Sequence, residues 1–341
     1  MMSIKGFIKE WMLPIAMLTG ASVYLLYHYM PSPGHRLGPF LEDIVGFVQP
    51  FLLFAMLFLT FCRIEPRELR PHRWHWWLLL IQGGLFVVLG LGAVALMRWA
   101  ADPGHDGWWM TQEGLVILIE SAMLCLICPT ATAAAVVTRK LGGDVAGITT
   151  YTIFINMLTA VLIPLIVPVL RPIAGIDFWM AFSMILGKVF PLLIMPCLAA
   201  WLVRYLFPRL HRRLLTWPDL PFYIWAAALT LAIAVSVKYL MASTLNLWVI
   251  VAMAAVSLAC CAFQFAAGKA IGGHYDPCTG EISVRQRQTK VTAGQALGQK
   301  NTVFIIWVAY TFMTPETAII GGLYSIWHNI YNSWQLRHRV L

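Results

Sequence analysis

Two ionisable residues sit where a hydrocarbon phase should exclude them. Glu120 opens an apolar stretch, residues 120–138 (ESAMLCLICPTATAAAVVT), and Lys300 lies inside another, residues 292–312 (TAGQALGQKNTVFIIWVAYTF). A charge within a stretch long enough to cross a bilayer is costly, and it marks a substrate or ion path by default. The helix is undermined beside both residues. Pro129 removes a backbone donor and clashes with the preceding turn, and Thr130 and Thr132 next to it can bond back to freed carbonyls. The second stretch is polar in its first half, with Gln295, Gln299, Lys300, Asn301 and Thr302. At membrane depth an opened helix ladder is tolerated only where protein or a water-filled cavity satisfies the freed groups. A pair of interrupted spans is the sequence pointer to a transporter's central site. The exposed helix ends would offer partial charges to a ligand or ion. Asn156, in the next apolar run, could face the same cavity.

Blander readings stand beside this one. Glu120 could form an ion pair with Lys300 or Lys188 that only holds helices together, and Lys188 could line an aqueous crevice. His328 and Asn329 read as hydrogen-bond partners between helices. No catalytic or metal constellation is expected. His72, His75, His105, His211 and His274 are scattered without ligand spacing, and all of the seven cysteines but Cys278 lie inside apolar runs, where cysteine acts as a small hydrophobe. Neither an enzyme nor a bound cofactor is therefore expected.

The elements that must position these residues follow from composition. Hydrophobic residues make up 60% of the chain and charged ones 11%, with a mean hydropathy of +0.74. A soluble domain would carry roughly 25% charged residues, so the chain reads as a polytopic membrane protein. No polar stretch is long enough for a soluble domain, and the first run reads as a span rather than a cleavable leader. Ten apolar runs can be marked, at about 11–30, 39–62, 74–97, 112–138, 145–170, 178–207, 221–241, 245–271, 291–313 and 316–336. Each is near the ~20 residues a crossing helix needs. A tight turn at Thr314 and Pro315 must join the last two.

The net charge of +9 does not point to nucleic acid, because the basic residues fall in short loops. With ten crossings, eighteen lysines and arginines fall on one side and four, Arg36 among them, on the other. That bias places both termini in the cytoplasm, and the plasma membrane, bacterial inner membrane here, is the expected location. Trp74, Trp76 and Trp77, which begin run three, and Trp108 and Trp109, which precede run four, are expected as headgroup-level anchors. Residues 74 and 245, 129 and 300, and 145 and 316 each differ by 171. Five crossings separate the members of each pair, so equivalent helices would run in opposite directions, as in an inverted-topology repeat. The expected fold is all-α and polytopic, with ten transmembrane helices in two inverted five-helix repeats, residues 1–170 and 171–341. Its broken helices four and nine would cross.

The segments CPTATAAAVVTRKLGG, GQALGQKNT and GGLYSIWHNIYNS resemble the bile acid:sodium symporter family. The resemblance runs through the whole chain in helix order. It implies a panel of helices 1, 2, 6 and 7, a core of helices 3–5 and 8–10, and alternating-access transport of organic anions such as bile acids or other carboxylated or sulfonated metabolites. It also implies where sodium ligands should lie, and there this chain departs. The family's Ser-Asn pair after the helix-four motif is Ala134 and Ala135, and its helix-nine glutamate is Gln295, four residues ahead of Gln299. The asparagine that follows is Lys300, or Asn301 if one residue is inserted; Thr152 keeps a family threonine while a nearby serine is Ile148. Alanine methyls offer a hard cation no oxygen. The expectation is thus a secondary transporter of a small organic anion, not coupled to sodium in the family's usual way. Lys300 would stand in for the cation, and protons, through Lys300 and Glu120, are the candidate coupling ion. The rival reading is a membrane receptor or sensor on the same fold. Membrane lipid is the other expected partner, and the sequence says nothing of oligomeric state.

Overall fold

The computed structural model describes residues 4–29, 38–100, 112–217, 219–274 and 284–338. Arg36, His105, Trp108, Trp109 and Cys278 lie outside them. Among the described residues the chain is all-helical, with α1 (Ile4–His28), α2 (Gly38–Cys62), α3 (Arg73–Ala100), α4 (Gln112–Ile127), α5 (Ala134–Lys140), α6 (Val145–Leu170) and α7 (Phe178–Leu193). The order continues with α8 (Met195–Leu206), α9 (Pro208–Leu215), α10 (Leu220–Ala242), α11 (Leu247–His274), α12 (Val284–Gly298), α13 (Thr302–Phe312) and α14 (Ile319–His338).

Most apolar runs become one helix, and three do not. Run four divides into α4 and α5 around Pro129, and run nine divides into α12 and α13 around Lys300. Run six bends by 41° between α7 and α8, where Pro191 and Pro196 flank the junction and remove ladder donors. Among the described residues five helices are long and apolar enough to cross a membrane, or six when the bent pair counts as one span. The halves of a divided span are too short to qualify alone.

Side-chain caps fix several starts. Asp144 accepts from the Ala146 amide at 2.9 Å ahead of α6, and Asp177 accepts from the Met180 amide at 2.9 Å ahead of α7. The join expected at Thr314 and Pro315 is a 3-10 turn, Pro315–Ala318. Helix α9 had no counterpart among the apolar runs. It is a short amphipathic helix that exposes Arg209, Arg212 and Arg213 and turns His211 inward, where its Nε2 meets the Cys62 carbonyl at 2.8 Å.

The tryptophans divide. Trp76 and Trp77 are 58% and 47% exposed, as an interfacial ring should be, but Trp74 is buried. Its ring centroid lies 3.9 Å from that of His75 and 6.1 Å from that of Tyr151. The helical period explains the correction: residues 74, 75 and 78 share the inward face of α3, while 76 and 77 fall on the opposite one.

In packing, α10 lies against α1 and α2, and α2 against α8, while α3, α4, α6, α11, α12 and α14 form a second group, with α13 against α14. Helices α11 and α12 approach each other closely. A methyl added at Gly268 would sit 2.4 Å from the Ala293 carbonyl oxygen, and one at Gly272 would sit 2.6 Å from that of Thr289. Small residues four apart let backbones approach in this way without water to drive them together. Gly268→Ala should therefore lower unfolding free energy by roughly 1–3 kcal/mol, as overpacking does, and lower the melting temperature in detergent. Gly92→Ala, at a glycine with open space around it, should leave the melt unchanged.

Candidate functional site

Helices α4 and α12 both end at the crossing, and each helix end leaves four carbonyls without intrahelical partners. More than half of them find a donor from another element. In α4 the Cys125 carbonyl accepts from Gln264 Nε2 at 3.1 Å, and Leu126 accepts from Lys300 Nζ at 3.1 Å. Ile127 accepts from Gln82 Nε2 and from Thr159 Oγ1, both at 3.0 Å, and the Cys128 carbonyl accepts from Gln82 Nε2 at 2.9 Å. In α12 the Ala296 carbonyl accepts from Thr130 Oγ1 at 2.7 Å and Gly298 accepts from the Tyr324 hydroxyl at 2.8 Å.

The two breaks also satisfy each other. Thr130 and Lys300 form an isolated antiparallel bridge. The Ala131 amide donates to the Gln299 carbonyl at 2.8 Å, and the Asn301 amide donates to the Pro129 carbonyl at 2.9 Å. Asn301 then caps α13, its Oδ1 accepting from the Phe304 amide at 3.3 Å. A glutamine–tyrosine pair braces each side of the crossing. Tyr151 of α6 donates to Gln82 of α3 at 2.8 Å, and Gln264 of α11 donates to the Tyr324 hydroxyl of α14 at 3.0 Å. Sequence reasoning missed these four residues, although Gln82 and Gln264 are each the only amide deep inside their apolar runs.

Lys300 is fully buried, with its amine on the Leu126 carbonyl. The ionisable groups nearest to it are the thiols of Cys125, Cys128 and Cys260. It does not pair with Glu120. That carboxylate, also fully buried, bonds Arg171 Nε at 2.6 Å, Thr317 Oγ1 at 3.0 Å and the Thr314 amide at 3.2 Å, and Arg171 reaches Thr314 Oγ1 as well. The expected partners, Lys300 and Lys188, are both corrected. Arg171 closes α6 and is only one helix end away, whereas Lys188 is exposed with its amine 5.8 Å from the centre of the Phe312 ring.

Beside the crossing lies a cavity of about 1090 Å³. Met17, Met56, Phe222 and Trp225 give it an apolar wall from α1, α2 and α10. The opposite wall is polar: Thr132, Gln299, Lys300, Asn301 and Thr302 at the breaks, with Ser325, His328, Asn329 and Asn332 along one face of α14. Arg63, Arg139, Lys140 and Arg337 add cationic side chains, and no described Asp or Glu lines it. Gln299 Oε1, His328 Nδ1 and Asn332 Nδ2 are buried and have no hydrogen-bond partner among the described residues. Outside the cavity lining, α2 meets α13 through Gln49, which donates to the Val303 carbonyl and accepts from the Tyr310 hydroxyl, each at 3.3 Å.

Of the residues named from sequence, Pro129, Thr130, Gln299, Lys300 and Asn301 meet at the crossing, and Thr132, Ala135 and Thr302 join them along the cavity. The others do not. Ala134 packs with Ile148 and Tyr151, and Thr152 donates to the Ile148 carbonyl of its own helix at 2.9 Å. Gln295 bonds Asn332 and Gln335 of α14, each at 3.0 Å. Asn156 is buried, away from the cavity lining, with neither amide atom partnered among the described residues. His328 and Asn329, read from sequence as links between helices, line the cavity instead.

Glu120→Gln removes one partner of the ion pair with Arg171. Breaking a buried pair typically costs 3–5 kcal/mol, but Arg171 is 38% exposed, so solvent screening reduces the expected loss to roughly 1–3 kcal/mol. In a double-mutant cycle read by unfolding in detergent, Glu120→Gln with Arg171→Gln should be little worse than Glu120→Gln alone.

Comparison with curated proteins gave no match. The model of the sodium bile acid symporter family matches residues 50–259, more than half of the 341. The matched segment runs from within α2 into α11 and includes the break at Pro129. With five or six membrane-length helices around it, this is an integral multi-pass membrane protein, and the chain belongs to the sodium bile acid symporter family.

Proposed function

We propose that the protein is a secondary transporter of a small organic anion, carboxylated or sulfonated, working by alternating access and without the family's sodium coupling. The observation that carries this reading is the fully buried Lys300 at the mutual pairing of two broken helices. A cavity with one apolar wall, one polar wall and cationic lining residues suits an amphipathic anion. Ten crossings in two inverted repeats, residues 1–170 and 171–341, are supported by the matching breaks and the two glutamine–tyrosine braces. The panel then comprises α1, α2, α7, α8 and α10, and the core comprises α3–α6 and α11–α14. With both termini in the cytoplasm, as the loop charges favour, the cavity faces inward, and Gln49 helps to close the outer side.

The donor set does not fit sodium. Ala134 and Ala135 present methyl groups, Gln295 is a neutral amide whose Nε2 is held by α14 and whose Oε1 alone is left unpartnered among the described residues, and an amine lies at the same crossing. An amine that cannot leave supplies the positive charge that a bound cation would bring. Glu120, tied to Arg171 and Thr317, serves the frame of the core rather than the site.

In proteoliposomes, uptake of labelled taurocholate, a sulfonated amphiphile, should change less than about twofold when a sodium gradient is replaced by potassium. Lys300→Ala should slow it by about tenfold or more, the loss of one charge-assisted contact. Strong sodium-driven uptake would overturn the reading.

A further inference from the structure

We infer that α9 lies in the membrane surface and docks the headgroup phosphates of anionic phospholipids with Arg209, Arg212 and Arg213. The inference goes beyond the transport reading and does not depend on it; it needs only a multi-pass membrane protein. Helix α9 follows α8, the second limb of a bent apolar span, with Phe207 alone between them. At about 100° per residue its three arginines fall within one arc of about 100°, and Leu210, His211, Leu214 and Leu215 fill the opposite side. His211 and Leu214 turn onto the protein, while Leu210 and Leu215 stay exposed, as do Phe207 and Trp217 at the two ends of the helix. A cationic face opposite an apolar one marks a helix that lies in the interface plane, and an indole beside it suits the headgroup level.

Basic residues in a loop set topology without needing a ligand, but α9 has more than charge. None of its three arginines makes an ion pair among the described residues, and the helix itself contains no Asp or Glu. The acidic groups nearby are engaged elsewhere: Glu65 accepts from Arg204 at 2.7 Å, and Asp219 acts electrostatically on Arg63. The helix is also held in place. His211 Nε2 meets the Cys62 carbonyl at 2.8 Å, Arg63 donates to the Trp217 carbonyl at 3.0 Å, and Arg204 donates to the Ile64 carbonyl at 2.9 Å. These bonds tie α9 and its flanks to the end of α2, so the cationic face is presented with its backbone already ordered. A guanidinium pairs with phosphate in a bidentate geometry, and each basic side chain close to an anionic leaflet strengthens binding by about fivefold. Thr60, Arg63 and Ile64, at and just past the end of α2, line the cavity. A lipid docked on α9 therefore steadies one edge of that cavity.

The test titrates the full-length protein in detergent with phosphatidylglycerol or with phosphatidylcholine of the same acyl chains, and counts bound lipid by native mass spectrometry. Wild-type protein should bind phosphatidylglycerol at least about tenfold more tightly. Arg209→Gln, Arg212→Gln and Arg213→Gln together should cut that ratio to about twofold or less, whereas lysine substitution at all three positions should keep most of it. Arg287→Gln with Lys290→Gln, which removes charge from α12 instead, should leave the ratio unchanged. Equal binding of the two lipids by the wild type would overturn the inference, and this arm stands even if the triple variant does not fold. A folded triple glutamine variant that keeps the preference, or its loss in the α12 variant, would overturn the siting on α9. Tighter binding of polyglutamate than of phosphatidylglycerol would give the face to an acidic protein and overturn the lipid assignment.

Discussion

A helix broken in the middle of a membrane leaves carbonyls that have no water to turn to, and the rest of this structure answers to that constraint. The ends of α4 and α12 are placed so that each break supplies what the other lacks. Pro129 has no amide to give but offers its carbonyl to Asn301, and Gln299 returns the favour to Ala131. The remaining carbonyls recruit Gln82, Thr159, Gln264 and Tyr324 from four different helices, and Lys300 from the second break. Because unsatisfied backbone groups are so costly in this setting, the crossing fixes the relative positions of α3, α6, α11 and α14 more firmly than apolar contact could. Lipid tails are as apolar as leucine, so burial alone gives helices little reason to choose one another.

The same constraint separates frame from site. Residues whose polar atoms are consumed by the crossing, such as Thr130 and Gln82, are committed to structure. Those that line the cavity with atoms unpartnered among the described residues, such as Gln299, His328 and Asn332, are free to meet a solute. Lys300 belongs to both sets. Its hydrogen bond caps α4, while its charge acts at a distance and is not consumed by a single carbonyl.

How much of this was legible beforehand depended on the range of the interaction. Pro129 and Lys300 announced themselves because proline and an intramembrane amine violate local rules, and the spacing of the runs predicted that the two breaks belong together. The partner of Glu120 was not legible: Arg171 lies just past the end of α6, outside the run, and only the fold brings it to the carboxylate. Trp74 was misplaced because aromatic composition marks the interface on average, whereas the phase of α3 decides each ring. Helix α9 escaped notice because its pattern is amphipathic and short, and the search was for apolar length. Thr152 and Gln295 sit at positions where the family places ion ligands, yet their hydrogen bonds run to Ile148 and to α14. A motif position specifies where a residue stands and leaves open what its atoms do.

If Lys300 takes the place of a bound cation as proposed, anchoring the charge on a side chain also changes how the protein depends on its surroundings. A diffusible ion occupies its site only to the extent that the medium supplies it, so a carrier that needs one weakens when that medium is dilute. The ammonium of Lys300 has an effective concentration set by a four-carbon stem rather than by salinity. On the proposed reading, occupancy of the cationic position would then vary little with the sodium content of the medium.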